Sequence, residues 1–247
     1  MVRKHPAQQK FARPLWIHGH HPVAAALANP RRRVVRLAAT REMLERLEPL
    51  LAQRRDTTTC DAMTSSSIAA LLDGDTRHQG AALLVHPLPD LAIRDIPGSA
   101  DVVVVLDRIS DPRNAGAIMR SAAAFGAAAV VMQERHAPPP SAAFANAASG
   151  ALEWVPLVRV SNIARALDDL KKRGFWITGL DAEAPLTLGQ APVPLPAVLV
   201  LGAEGSGLRR LVARTCDQLV SIATPGRELS LNVASAAAIA LHEIRTH

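Results

Sequence analysis

Residues 102–132 read VVVVLDRISDPRNAGAIMRSAAAFGAAAVVM. The run Val102–Leu106 is short, mostly β-branched and has no polar alternation. That is the pattern of a strand covered on both faces, as in a parallel sheet. The polar segment Asp107–Ala115 reads as a loop, with Asp111 placed to cap a helix and Pro112 to fix its entry. The helix should run to Phe125, where Gly126 ends it, and Ala128–Met132 should form the next strand. One strand, loop, helix and strand in series argue for an α/β fold. Capping accounts for Asp111 and Pro112. It does not account for Asn114, or for Arg120 set among Ala, Ile and Met, and both become candidate site residues.

Toward the C-terminus the alternation continues. Ser141–Ser149 and Ile163–Arg173 read as helices, the second closed by Gly174, and Val155–Val158 and Phe175–Leu180 read as strands. The stretch 198–232, VLVLGAEGSGLRRLVARTCDQLVSIATPGRELSLN, then packs three turns between two short apolar runs and two helices. Val198–Leu201 ends in Gly202, and Leu219–Ile222 ends in Thr224-Pro225-Gly226. Small residues at strand ends let backbone groups approach a ligand closely. Gly202-Ala203-Glu204-Gly205-Ser206-Gly207 is neither the dinucleotide fingerprint nor a Walker A loop. Glu204 within it either bonds something specific or caps the helix expected from Leu208. Ser230-Leu231-Asn232 has the form of a cap for a final helix, Val233–Ile244.

Toward the N-terminus, residues 86–100 hold three prolines and little period, and read as a connection between domains, with 89–100 as its core. Before it lies a small α/β unit, 14–88. Its expected elements are a strand from Leu15, a helix opened by Pro22 and stopped at Asn29-Pro30, a strand Arg33–Leu37, helices Arg41–Gln53 and Ile68–Leu72, and a strand Ala81–Val85. His18, His20 and His21 share one turn without a matching ligand set, so no metal site is read there. His78-Gln79-Gly80 reads as loop. Residues 1–13 read as a disordered basic tail.

Charge is unevenly placed. Residues 1–60 carry 12 Lys/Arg against 4 Asp/Glu, and the remainder carry 16 against 18. A basic front end suits a polyanion, most often nucleic acid. No apolar run approaches the roughly 18 residues that suggest a membrane span. No secretory leader is visible, and two cysteines make neither a disulfide framework nor a zinc site, so a cytoplasmic setting is expected.

The segments LDRISDPRNAGAIMRSAAAFGA, VLVLGAEGSGLRRLVARTCDQLVSIATPG and LSLNVASAAAIALHE together resemble, in order and spacing, the three motifs of the SpoU/TrmH family (SPOUT class) of RNA 2′-O-ribose methyltransferases. HGHHPVAAAL, NPRRRV and HQGAALLV resemble the small L30e-like substrate-binding domain of the 23S ribosomal RNA guanosine branch. The resemblance implies a C-terminal α/β domain, 101–247, with a parallel sheet and a trefoil knot. It also implies S-adenosylmethionine as methyl donor and a homodimer acting on RNA, with the active site at its interface. It assigns cofactor contact to Leu201, Gly202, Ala203, Gly205, Ile222, Ala223, Pro225 and Leu231, and catalysis to Asn114, Arg120, Glu204, Ser230 and Asn232. Guanidinium stays protonated at working pH, so Arg120 reads as a positioner of phosphate or hydroxyl and not as a base. The competing expectations are a tRNA 2′-O-methyltransferase and a non-catalytic RNA-binding relative. A dinucleotide-dependent dehydrogenase would need the glycine fingerprint that is missing.

Overall fold

The computed structural model describes residues 13–246, apart from 57, 73–76, 136, 137, 139, 140 and 227–230. The chain divides into two compact units, Met1–Leu88 and Pro89–His247.

In the first unit, β1 (Leu15–His18), α1 (His20–Ala28), β2 (Val34–Ala39), α2 (Arg41–Gln53), β3 (Thr59–Ala62), α3 (Ser65–Leu71) and β4 (Ala81–Val85) follow in order. The sheet runs β1-β4-β2-β3, with β4 antiparallel to β1 and β2, and β2 parallel to β3. Helix α1 begins at His20, two residues before the expected Pro22. Gly19 takes φ +91 at its N-cap, and Gln79 Oε1 accepts the His20 N–H at 3.0 Å. The tripeptide His78-Gln79-Gly80 is a loop with a staple in it. His78 is buried, and its Nδ1 accepts the Gly80 N–H at 3.1 Å. Strand β3 has no apolar alternation, being mostly exposed Thr-Cys-Asp-Ala, and only its pairing with β2 makes it a strand. The Arg54 guanidinium closes the end of α1, donating to Leu27 O at 2.9 Å and to Arg32 O at 2.8 Å.

In the second unit, β5 (Val102–Asp107), α4 (Pro112–Ala124), β6 (Ala129–Gln133), α5 (Ala142–Ala148), β7 (Leu157–Val160), α6 (Ile163–Lys171), β8 (Trp176–Leu180), β9 (Ala197–Gly202), α7 (Arg210–Thr215), β10 (Gln218–Val220) and α8 (Val233–Thr246) alternate as expected. The six strands lie in the order β10-β8-β9-β5-β6-β7, and every pairing is parallel. The unbroken apolar run of β5 is explained by its two faces. Val102, Val104 and Leu106 enter the core with α4, α5 and α8, while Val103 and Val105 enter the one with α6 and α7. Residues 89–100, read as a connection, pack on this unit. The Leu91 N–H donates to Leu157 O at 2.8 Å, Ile96 is buried among the second core, and Arg173 donates to Ile93 O at 2.8 Å.

Some boundaries differ from expectation. Helix α4 starts at Pro112, so the segment Asn114–Gly116 is helical and not a turn. Gly116 is where α4 meets α5, since a Cβ there would stand 2.5 Å from Ala147 Cβ and 2.7 Å from Phe144 O. Strand β7 begins after Pro156, and the Val155 N–H instead donates to Ala151 O at 2.9 Å. Strand β10 stops at Val220, leaving Ile222 outside it.

Candidate active site

The carboxyl ends of three strands, β10, β9 and β5, deliver the candidate residues to one edge of the sheet, where open α/β sheets take ligands. Asn114 arrives on the first turn of α4, whose N-cap Asp111 accepts the Arg113 N–H at 2.9 Å. Glu204 arrives in the turn after β9. That turn is closed by reciprocal bonds, Ala203 N–H to Gly207 O at 3.2 Å and Gly207 N–H to Ala203 O at 2.9 Å. Asn232 stands immediately before α8.

These three side chains close on one another. Asn114 Nδ2 donates to Glu204 Oε1 at 3.1 Å, Asn232 Nδ2 donates to the same oxygen at 2.7 Å, and Asn232 Nδ2 also reaches Asn114 Oδ1 at 3.1 Å. Asn232 cannot turn its amide over without loss. Its Oδ1 accepts the N–H groups of Ala234 and Ser235 at 3.0 and 3.4 Å, capping α8. Glu204 Oε1 also accepts the Val233 N–H at 3.3 Å. The capping expected of Glu204 therefore exists, but at α8 and not at the helix after its own turn, which begins at Arg210. A carboxylate holding several N–H donors, one from a helix N-terminus, is held in one orientation.

Arg120 does not join this ring. Six residues along α4 from Asn114 are about 9 Å of rise and a third of a turn away. Arg120 is exposed, and its side chain has no hydrogen bond or ion pair with another described residue. Ser230 lies outside the described residues, as does the start of its turn.

The residues assigned to the cofactor fall into two parts. Leu201 is buried in the sheet, whereas Gly202, Ala203 and Gly205 form the turn. Gly202 is the tight point: a Cβ would lie 2.2 Å from Gly207 C and 2.4 Å from Leu208 N. Ile222, Ala223 and Pro225 follow β10, and the backbone from Ile222 to Pro225 makes no hydrogen bond to another described backbone group. Leu231 is an apolar side chain with 39% of its surface exposed. A side chain forbidden at Gly202, open backbone after β10 and an exposed Leu231 suit a ligand with polar and apolar parts held largely by main chain.

Sequence reasoning gave no role to Asp107 and Arg209. Asp107 is fully buried at the end of β5 and pairs with the Arg209 guanidinium at 2.6 Å. The available signal was an acidic residue directly ending a buried apolar run; no spacing rule could name a partner 102 residues away. Cys216 offers no nucleophile, since burial pushes its thiol up to about 12. Among the described residues no group of three His, Cys, Asp or Glu is placed to hold a metal ion, and no helix is long and apolar enough to cross a membrane.

The family described as SpoU rRNA methylase matches residues 101–242, and the RNA 2′-O ribose methyltransferase substrate-binding domain matches residues 16–91. The 23S rRNA (guanosine-2′-O-)-methyltransferase RlmB of Shewanella oneidensis is 37% identical over 234 residues, which is 92% of this chain and 95% of that protein. An uncharacterized tRNA/rRNA methyltransferase of Synechocystis sp. is 36% identical over 236 residues, and there the match spans 61% of the relative's length. Among solved structures, the SpoU methyltransferase AviRb from Streptomyces viridochromogenes, in complex with the cofactor AdoMet, aligns with a TM-score of 0.77 and 25% identity, covering 94% of this chain and 89% of that one. With a family match across more than half its length and a relative this similar end to end, the chain belongs to the SpoU rRNA methylase family.

Proposed function

We propose that the protein transfers a methyl group from S-adenosylmethionine to a ribose 2′-hydroxyl of structured RNA, with a guanosine of 23S ribosomal RNA as target. The observation that carries this reading is the closed ring of Asn114, Glu204 and Asn232 beside the Gly202–Gly207 turn. Its similarity to RlmB of S. oneidensis supports the nucleotide.

When bound, S-adenosylmethionine supplies an electrophilic methyl on a cationic sulfur. The turns at 201–205 and 222–225, with Leu231, would hold it chiefly by backbone. Methyl transfer to a hydroxyl whose proton departs to water creates no new charge within the site, so placing the hydroxyl matters more than stabilising charge, and positioning can contribute roughly 7–11 kcal/mol. Glu204, fixed through Oε1, keeps the amides of Asn114 and Asn232 in set orientations toward the substrate. The turnover needs those amides, and their retention as one bonded set disfavours a non-catalytic RNA binder.

Arg120 completes the site of a second copy of the chain in this reading. Its separation from the ring, its exposure and its lack of a described partner support an active site shared across a homodimer. The first unit is an L30e-like domain that holds RNA, and the C-terminal part is a trefoil knot. The bonds that set the start of α8 against the turn after β9 support the knot. Cytoplasmic action follows from a ribosomal RNA target.

Mapping ribose methyls in ribosomal and transfer RNA from cells with and without the protein tests the target. Loss of one 23S guanosine methyl is expected. Loss confined to tRNA would transfer the assignment to the tRNA enzymes.

A further inference from the structure

Arg108, one residue past the end of β5, has φ +61. That left-handed backbone suits glycine, and a long side chain adopts it only where its surroundings impose it. Here they do. Asp107 before it is fully buried and held by Arg209, and Ile109 after it is 5% exposed. Glycine would meet the same constraint without strain, yet the position carries an exposed arginine. Its guanidinium has no hydrogen bond or ion pair with another described residue. Arg113, on the first turn of α4 beside Asn114, is also exposed, and its side chain likewise has no described partner. Backbone strain kept under an unpaired charge at a site edge marks a residue whose use lies in what it touches.

We propose that Arg108 contacts the substrate, its guanidinium gripping an RNA phosphate next to the reacting ribose, with Arg113 taking a second phosphate on the same edge. The planar fork matches phosphate geometry, and such contacts fix register without reading bases. This inference rests on the RNA methyltransferase reading and adds to it the groups that seat the chain of the target strand. Because Arg108 is positioned by residues that do not depend on its side chain, its removal should leave the fold and cofactor turn intact.

The test compares Arg108→Gly, Arg108→Ala and the unaltered protein, using a 23S ribosomal RNA transcript as probe. Filter binding across a salt series, calorimetry with S-adenosylmethionine and thermal melts are run side by side. For Arg108→Gly we expect RNA affinity to fall about 5- to 10-fold near 0.15 M salt and the salt slope to drop by about one unit. Cofactor affinity should be unchanged, and the melting temperature equal or higher, because strain is relieved. Arg108→Ala should lose the same RNA affinity without the gain in stability. RNA affinity and salt slope unchanged in Arg108→Gly would overturn the inference, as would loss of cofactor binding or a lower melting temperature. Methyl transfer by the unaltered protein, measured in the same preparation, separates the two levels. If it transfers methyl while Arg108→Gly binds RNA normally, only this inference fails; if it transfers none to RNA, both fail.

Discussion

The Asp107 carboxylate, with no exposed surface, binds Arg209 at three points. The Arg209 N–H donates to Oδ2 at 2.9 Å, and its Nε and Nη2 lie 2.7 and 2.6 Å from Oδ1. The end of β5 is thereby tied to the residue preceding α7, across the mouth of the glycine turn. Asp107→Asn leaves a guanidinium without its counter-charge, and breaking one side of a buried pair costs roughly 3–5 kcal/mol. Arg209 keeps a third of its side-chain surface in water, so the lower end applies. A reduced urea midpoint together with weaker cofactor binding by calorimetry is expected. A variant as stable as its parent would show that the pair does not anchor the turn.

Gly202 has no room for a methyl group, because the atoms opposite are backbone of Gly207 and Leu208 and cannot rotate away. Gly202→Ala must open the turn, and overpacking of this kind typically costs about 1–3 kcal/mol. Calorimetry should find S-adenosylmethionine binding lost or weakened more than tenfold, a change of about 1.4 kcal/mol or more. Gly205, with nothing near its Cβ direction but φ +78, should tolerate alanine at a smaller loss. Equal effects at the two positions would contradict the close approach at Gly202.

A site shared between two copies predicts complementation. Asn114→Ala and Arg120→Ala should each be inactive as homodimers. Mixed after unfolding and refolding, half the dimers carry both changes on opposite copies, and one intact site per mixed dimer gives about a quarter of the parent activity in a C2 assembly. Activity that stays absent on mixing would place Arg120 within its own copy's site.

In the first unit, burial above all, and then the facing His78, hold His18 below its usual 6.5, against an opposing hydrogen bond to the Arg77 backbone. His18 therefore gives up its proton more readily in the folded protein than in the unfolded chain. The unfolded chain takes up the proton first as pH falls past 6.5, so stability is full above that value and declines below it, until folded His18 also protonates. Protection factors of the β1 and β4 amides, corrected for the intrinsic exchange rate at each pH, should fall between pH 7 and 5. Protection that rises on acidification would reverse the sign.

The alternation of elements was legible because β5 and β9 are buried on both faces, so burial alone dictates their composition. Glycine and proline marked the helix limits at Gly126 and Asn29-Pro30 for equally local reasons. Strand β3 was illegible because its residues are mostly exposed and its order comes from β2. At the site, Asn114, Glu204 and Asn232 stood out as polar groups at strand and helix ends. Their mutual bonds span separations of 90, 118 and 28 residues, which no periodicity encodes. Residues 114–116 were misplaced into a turn because an Asn-x-Gly pattern looks like one. The glycine serves instead to let α5 lie against α4.

The most direct measurement of the central claim is to incubate the purified protein with S-adenosylmethionine carrying a labelled methyl and a 23S ribosomal RNA transcript, then to identify the labelled nucleoside by mass spectrometry. The account predicts 2′-O-methylguanosine as the product, and a loss of at least tenfold in rate, about 1.4 kcal/mol, when Glu204→Gln weakens the ring. Label on a base, or no label despite demonstrated cofactor binding, would contradict it.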